Sequence, residues 1–260
     1  MHKLVFTHVP KTAGSTFSAS MRKHYEDGQF IVAIKGDRSL MEFLEQGGDA
    51  SKLRYIGGHV SVEQVEGLLG VPRENQRPVA TVRDPLDRAI SHYFYLRRVP
   101  HAMPGFGERA RELGFQDFCD AAREEMDFEF NNFRCRFLSG EASFAATWGL
   151  IEQSYFIVAT PIQMERFVGS VCRMEGFSGS DKPEIISRLV APRSDLSEEI
   201  ASGSRPHSIE GIISPEQQRR FEQANAEDYQ LYHRIRDVHD GFYQLDRYRQ
   251  VVSTTSRQPD

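Results

Sequence analysis

The chain has 260 residues, with 39% hydrophobic and 11% aromatic content and a net charge of -5. That is enough apolar material for a sizeable core, which excludes a disordered chain and a small disulfide scaffold. The acidic balance argues against a nucleic-acid binder, so any anion site has to be local.

The first element is "KLVFTHV" (3–9), a short apolar run that reads as a buried strand. It passes through "PKTAG" into a helical pattern, "STFSASMRKHYED". Further strands are predicted at "FIVAIK" (30–35), "LRYIGGH" (53–59), "RPVATVR" (77–83) and "SYFIVAT" (154–160). Most lack period-2 alternation, which fits strands covered on both faces. Helical patterns follow the third, fourth and fifth: "SVEQVEGLLG", "PLDRAISHYFYLRR" and "PIQMERFVGSVCRMEG". Pro85 falls in a first helical turn, where its missing N–H is harmless. Residues of about 100–150 read as helices and loops inserted before the last strand, placed to build one side of a cleft. Residues 191–211 are rich in Ser, Pro and Gly and read as a loop. One amphipathic helix is predicted from Ser214 as N-cap, with Pro215 first inside it. The alternation predicts an α/β fold with a mainly parallel sheet of about five strands. A single domain is expected over 1–252, with 253–260 a disordered tail.

The three cysteines, Cys119, Cys135 and Cys172, are far apart and odd in number. Neither a disulfide framework nor structural zinc is expected, and no metal site is predicted. No run approaches the ~20 apolar residues of a membrane helix, and the apolar stretch after Lys3 is too short for a signal peptide. A cytoplasmic protein with no transmembrane segment is the expectation. Oligomeric state is not readable.

Two loops carry chemistry. In open α/β sheets ligands bind beyond the carboxyl ends of the strands. After the first strand, the backbone N–H groups of Ala13, Gly14, Ser15 and Thr16 would form a nest at a helix start, suited to phosphate or sulfate. Thr12 belongs to the same loop, Gly14 permits close approach, and Lys11 adds a mobile charge. In a nucleotide-binding GxxxxGK[ST] loop the Lys follows the Gly; here it precedes it, so magnesium-ATP chemistry is disfavoured. After the fourth strand, Arg83 stands at the strand tip and Ser91 about two turns into the next helix, with Arg88 near its start. Arg83 and Ser91 could share one anion, or Arg83 could simply bridge to Asp84 or Asp87. Two separate anion sites suggest a ligand with phosphates at two places.

"HVPKTAGSTF" together with "VRDPLDRAISHYFYLRR" resembles the sulfotransferases that use 3'-phosphoadenosine 5'-phosphosulfate (PAPS), most of all the carbohydrate branch typified by heparan sulfate 2-O-sulfotransferases. "YIGGHVS", "FRCRFLSG" and "YFIVAT" extend the resemblance over roughly residues 3 to 170. It implies a P-loop-NTPase-like three-layer sandwich and sulfuryl transfer from PAPS to a hydroxyl of a carbohydrate or glycoconjugate. It implies that Lys11 stabilises the leaving group, that His59 is the base, and that the loop from Lys11 to Thr16 holds the 5'-phosphosulfate. It also implies that Arg83 and Ser91 hold the 3'-phosphate, with Arg205 of "SGSRPHS" (202–208) closing over it. Position 57 is Gly where the family pattern has a second His, so that residue's role is absent. Arg134 and Arg136 are weak candidates for acceptor contacts, as is Asn132. The lone Trp148 reads as partly buried core before a sugar platform. A neutral saccharide, glycolipid or small-molecule hydroxyl remains open, and the net charge does not favour a polyanionic acceptor. The rival readings are a small-molecule kinase with an aberrant loop, and a non-catalytic nucleotide-binding protein on the same fold.

Overall fold

The computed structural model describes residues 2–103, 105–125, 130–177 and 212–255. A six-stranded sheet runs through it, made of β1 (Lys3–Thr7), β2 (Phe30–Ala33), β3 (Tyr55–Gly58), β4 (Gln76–Thr81), β5 (Ile157–Ala159) and β6 (Phe242–Gln244). The order is β2-β3-β1-β4-β5-β6. The first five strands are parallel and β6 pairs antiparallel with β5. All five predicted strands are present, and β6 is an addition. It is only three residues long and follows a helical turn, so no apolar run marks it.

Every residue of β1 is buried. Leu4 and Phe6 enter one core cluster and Val5 another, so the strand is covered on both faces. This is why the parallel strands read as unbroken apolar runs. Lys3 fits this strand because its ammonium donates to the carbonyls of Leu53 (2.6 Å) and Ser51 (3.1 Å). On one face lie α1 (Gly14–Arg22), which contributes Phe17 and Met21, and further on Phe167 and Val171. The other face takes Leu40 of α2 (Asp37–Glu45) and Val65 of α3 (Val62–Leu69). Helix α2, not among the predicted helices, buries Leu40 and packs the partly buried Phe43 against the same cluster.

Helix α4 (Pro85–Arg98) matches its predicted span, with Asp84 as N-cap accepting from the Asp87 N–H at 2.9 Å. The insertion supplies α5 (Phe106–Glu112), α6 (Phe115–Glu125), α7 (Phe133–Ser139) and α8 (Phe144–Ser154). It precedes β5, which is not the last strand of the sheet. After β5 come α9 (Met164–Met174), then α10 (Pro215–Ala224), α11 (Ala226–His233) and α12 (Asp246–Thr255). Ser214 caps α10 in a reciprocal capping box with Gln217. The single helix predicted from Ser214 is two, broken at Asn225, whose Oδ1 accepts from the Asn132 N–H at 3.1 Å. Helix α12 runs to Thr255, past the expected domain end at 252. The three cysteines are buried free thiols. Among the described residues no helix is long and apolar enough to cross a membrane.

Candidate functional site

Strand β1 has β3 on one side and β4 on the other. The chain fills the β3 side first and then crosses back, so the β1 and β4 carboxyl ends flank a topological switch point, where such sheets bind ligands. The two loops singled out in the sequence leave the sheet from these two strand ends.

The first loop is held in an uncommon shape. Lys11 and Ala13 both have φ of 68°. Left-handed backbone at a non-glycine residue costs on the order of 1 kcal/mol, and it persists only where neighbours enforce it. Thr12, fully buried between them, does this. Its hydroxyl donates to the Val9 carbonyl at 2.7 Å and lies 2.9 Å from the Thr81 hydroxyl on β4. Arg83 donates to the Lys11 carbonyl at 3.2 Å from the second loop. Gly14 is required by contact: a Cβ there would lie 2.0 Å from the His8 ring. The first turn of α1 leaves N–H groups toward the ligand side. The Thr16 N–H is not among them, because it donates to the Ala13 carbonyl at 3.1 Å.

Lys11 reaches over the Tyr95 ring, its Nζ 4.4 Å from the centroid. Tyr95 is one helical turn after Ser91 on α4, so the two share a face. Arg83 Nε is ion-paired with Asp87, so the structural bridge weighed for this residue is present alongside its loop contact.

His59 follows β3 directly. One of its ring nitrogens hydrogen-bonds the Ile34 backbone, and burial lowers its pKa below the ordinary value. A neutral imidazole donating to a carbonyl keeps its other nitrogen as an acceptor. Phe137 meets it edge-on at 6.4 Å. His8 lies 5.0 Å from His59, ring to ring, and stacks on Phe6. Burial, then the neighbouring His59 and Lys11, push His8 down to about 3. It is a neutral wall under the loop. His92 is buried too, and desolvation with the nearby Arg88, Lys11 and His59 holds it well below the histidine range. Gly57 has no room for a side chain, since a Cβ would lie 2.4 Å from the Tyr55 hydroxyl.

These residues converge on a cleft of about 630 Å³ lined by Lys11, Gly14, Ser15, His59, Arg83 and Ser91 among others. Among the described residues the lining includes Lys11, Lys35 and Arg83 and no carboxylate. A second cleft, of about 660 Å³, adjoins it and contains Thr16, Ile162, Tyr232, Arg236 and three aspartates. Ala13 and Arg83 line both, so Arg83 stands at the partition.

Several expected site residues lie elsewhere. Arg134 is fully buried, its Nη1 2.9 Å from Asp228, so it is not available to an acceptor. The same carboxylate accepts the Arg134 and Cys135 N–H groups, capping α7. Asn132 does the converse for α11, accepting from the Glu227 and Asp228 N–H groups, and lines neither of the two clefts. Arg136 bonds the Asn131 carbonyl at 3.1 Å and is absent from both cleft linings. Arg88 is buried with its guanidinium 4.3 Å over the Phe133 ring. The Thr12 side chain supports the loop and does not face the cleft. Trp148 is stacked on Tyr243 at 4.9 Å with Arg234 over it, as expected of a partly buried ring. Arg205 lies outside the described residues. Sequence reading missed Lys35, Tyr95, Met103, Tyr232 and Arg236. Lys35 ends a predicted strand and Tyr95 is one turn from Ser91, so both had a signal; Tyr232 and Arg236 reach the site only through packing.

A family model described as the sulfotransferase family matches residues 1–137, more than half of the chain. The chain belongs to the sulfotransferase family. The matched span holds both loops, His59 and Ser91, and it is to the family and not to one branch of it. No curated protein matches the chain. Membership supports sulfuryl transfer as the activity and implies a sulfuryl donor.

Proposed function

We propose that this sulfotransferase takes its sulfuryl group from PAPS and transfers it to a hydroxyl acceptor, with His59 as base and Lys11 at the leaving group. The observation that carries the reading is the convergence of Lys11, His59, Arg83 and Ser91 on one cleft without a carboxylate in its lining. Such a lining attracts anions, although Arg83 also pairs with Asp87 from outside it. It fits a donor with two separated anionic groups. Backbone N–H groups of Gly14 and Ser15 with Lys11 take the 5' end, and Arg83 with Ser91 takes the 3'-phosphate. Thr12, Ala13 and Thr16 complete the loop through their backbone and packing.

The donor supplies the sulfuryl group: its sulfur–oxygen bond to the phosphate breaks as the new bond to the acceptor oxygen forms. His59 takes the acceptor's proton on the ring nitrogen not committed to Ile34. The Lys11 ammonium meets the negative charge that grows on the phosphate oxygen. The loop and α4 hold the two ends so that attack is in line. The resemblance supports a carbohydrate or glycoconjugate acceptor on a P-loop-like fold, and a small-molecule hydroxyl is the other acceptor class.

Calorimetric titration with 3',5'-adenosine bisphosphate, against magnesium-ATP, tests this on wild type and Arg83→Ala. Metal-independent binding that is weakened in the variant is expected. Preference for magnesium-ATP would sink the reading in favour of a kinase. Bisphosphate binding with no turnover of labelled PAPS on any hydroxyl would leave a non-catalytic binding protein.

A further inference from the structure

The donor accounts for Lys11, Arg83, Ser91 and the start of α1. It does not account for the apolar part of the cleft's wall, to which Ile34, Ala102 and Met103 contribute beside Tyr95. Ile34 directly follows β2 and is 65% exposed. Among the described residues the two most exposed large hydrophobic side chains are Ile162 and Ile34, and each lines one of the two clefts. A single exposed apolar side chain needs no explanation. Here four apolar or aromatic residues from three separate segments meet at the carboxyl edge of the sheet, which is the pattern of a ligand pocket. The Ile34 backbone is also the group that His59 hydrogen-bonds, so this wall begins beside the base.

The charge next to Ile34 in the lining is Lys35, whose Nζ lies 3.5 Å from Glu42 in an exposed pair. Among the described residues of the lining there is no carboxylate to hold a cationic acceptor. A lone lysine already paired to a glutamate offers little to a densely charged saccharide.

Resting on the sulfotransferase reading, we propose that this wall is the acceptor subsite and that it takes an uncharged hydroxyl compound bearing an apolar ring. Ile34, Ala102 and Met103 would cover the ring while the hydroxyl meets His59. The ring would leave water for a surface that is already apolar and exposed, so the gain scales with the apolar area covered.

The test is ligand-observed NMR with 2-naphthol, with and without saturating 3',5'-adenosine bisphosphate, on wild type, Ile34→Ser and Met103→Ser. Ile34 is exposed and away from the core, whereas Met103 is partly buried and packs against the cluster around Phe94 and Phe118, so a thermal melt of each variant checks its folding. Wild type should bind 2-naphthol, and each substitution should weaken it roughly 10-fold, as losing part of an apolar contact does. Bisphosphate affinity should be unchanged in both. Absence of 2-naphthol binding, or binding indifferent to both substitutions, overturns the proposal. Loss of bisphosphate binding in wild type would instead strike the donor reading, and it is read separately in the same samples. Turnover of glucose as efficient as that of phenyl β-D-glucoside would also overturn the apolar subsite.

Discussion

The Arg83 guanidinium donates to the Lys11 carbonyl at 3.2 Å, across 72 residues of chain. The residue assigned to one anion therefore also braces the loop that presents the other, and it does so at a backbone position with φ of 68°. Arg83→Ala should lower turnover at saturating donor as well as weaken bisphosphate binding. The affinity loss should be on the order of 10-fold or more, from a charge-assisted hydrogen bond of about 1.5–3 kcal/mol. Steady-state kinetics with labelled PAPS separates the two effects. A change in affinity alone would show that the loop keeps its shape without Arg83.

Lys11 should act on the chemical step. Lys11→Ala should reduce kcat by roughly 100-fold or more, with a smaller change in bisphosphate affinity. Tyr95→Leu removes the ring that lies 4.4 Å from the ammonium, and should reduce kcat more modestly. Tyr95→Phe keeps the ring face and should restore most of it. Equal losses in Leu and Phe variants would assign the effect to the hydroxyl and not to the cation–ring contact.

His59 has to be neutral to accept a proton, and burial lowers its pKa below the ordinary histidine value. The acid limb of kcat/KM should therefore lie below pH 6.5, with activity level above it. His59→Gln should abolish most turnover. An acid limb at or above 6.5 would contradict the assignment.

Acid should also destabilise the fold. His8 titrates near 3 in the folded protein and near 6.5 unfolded, and His92 shifts in the same direction. A depressed folded pKa gives stability that is present above the unfolded value and lost as pH falls toward the folded one. Each histidine should contribute a slope of about 1.4 kcal/mol per pH unit below 6.5. Urea unfolding midpoints from pH 7 down to pH 4 test this. A flat profile would show that His8 and His92 become protonated without unfolding.

Asp228→Ala should destabilise by about 3–5 kcal/mol, because it leaves Arg134 charged and buried and uncaps α7. Replacing both partners with apolar residues of similar volume should recover part of the loss. Thermal melts of the single and double variants decide it. A mild Asp228→Ala phenotype would mean that Arg134 finds water or another partner.

The sequence by itself determined the parallel strands, the span of α4 and the position of the two loops proposed to hold anions. Buried parallel strands must be apolar on both faces, and a phosphate-type cradle needs a small residue, hydroxyls and a cation close together in the chain. Lys11, Gly14, Arg83 and His59 were legible because each sits shortly after a strand, and Ser91 because it lies on the helix that follows Arg83. The tertiary structure decided what each charged or polar side chain faces. Arg134 and Arg136 share one short segment, yet one is sealed against Asp228 and neither lines a cleft, because helix packing and not spacing sets burial. Strand β6 and the pair Tyr232 and Arg236 arrive from the far end of the chain, and no local pattern announces a contact made at that distance. The same holds for the wall of Ile34 and Met103, which becomes a surface only when the end of β2 and the start of the insertion are brought to the same edge of the sheet.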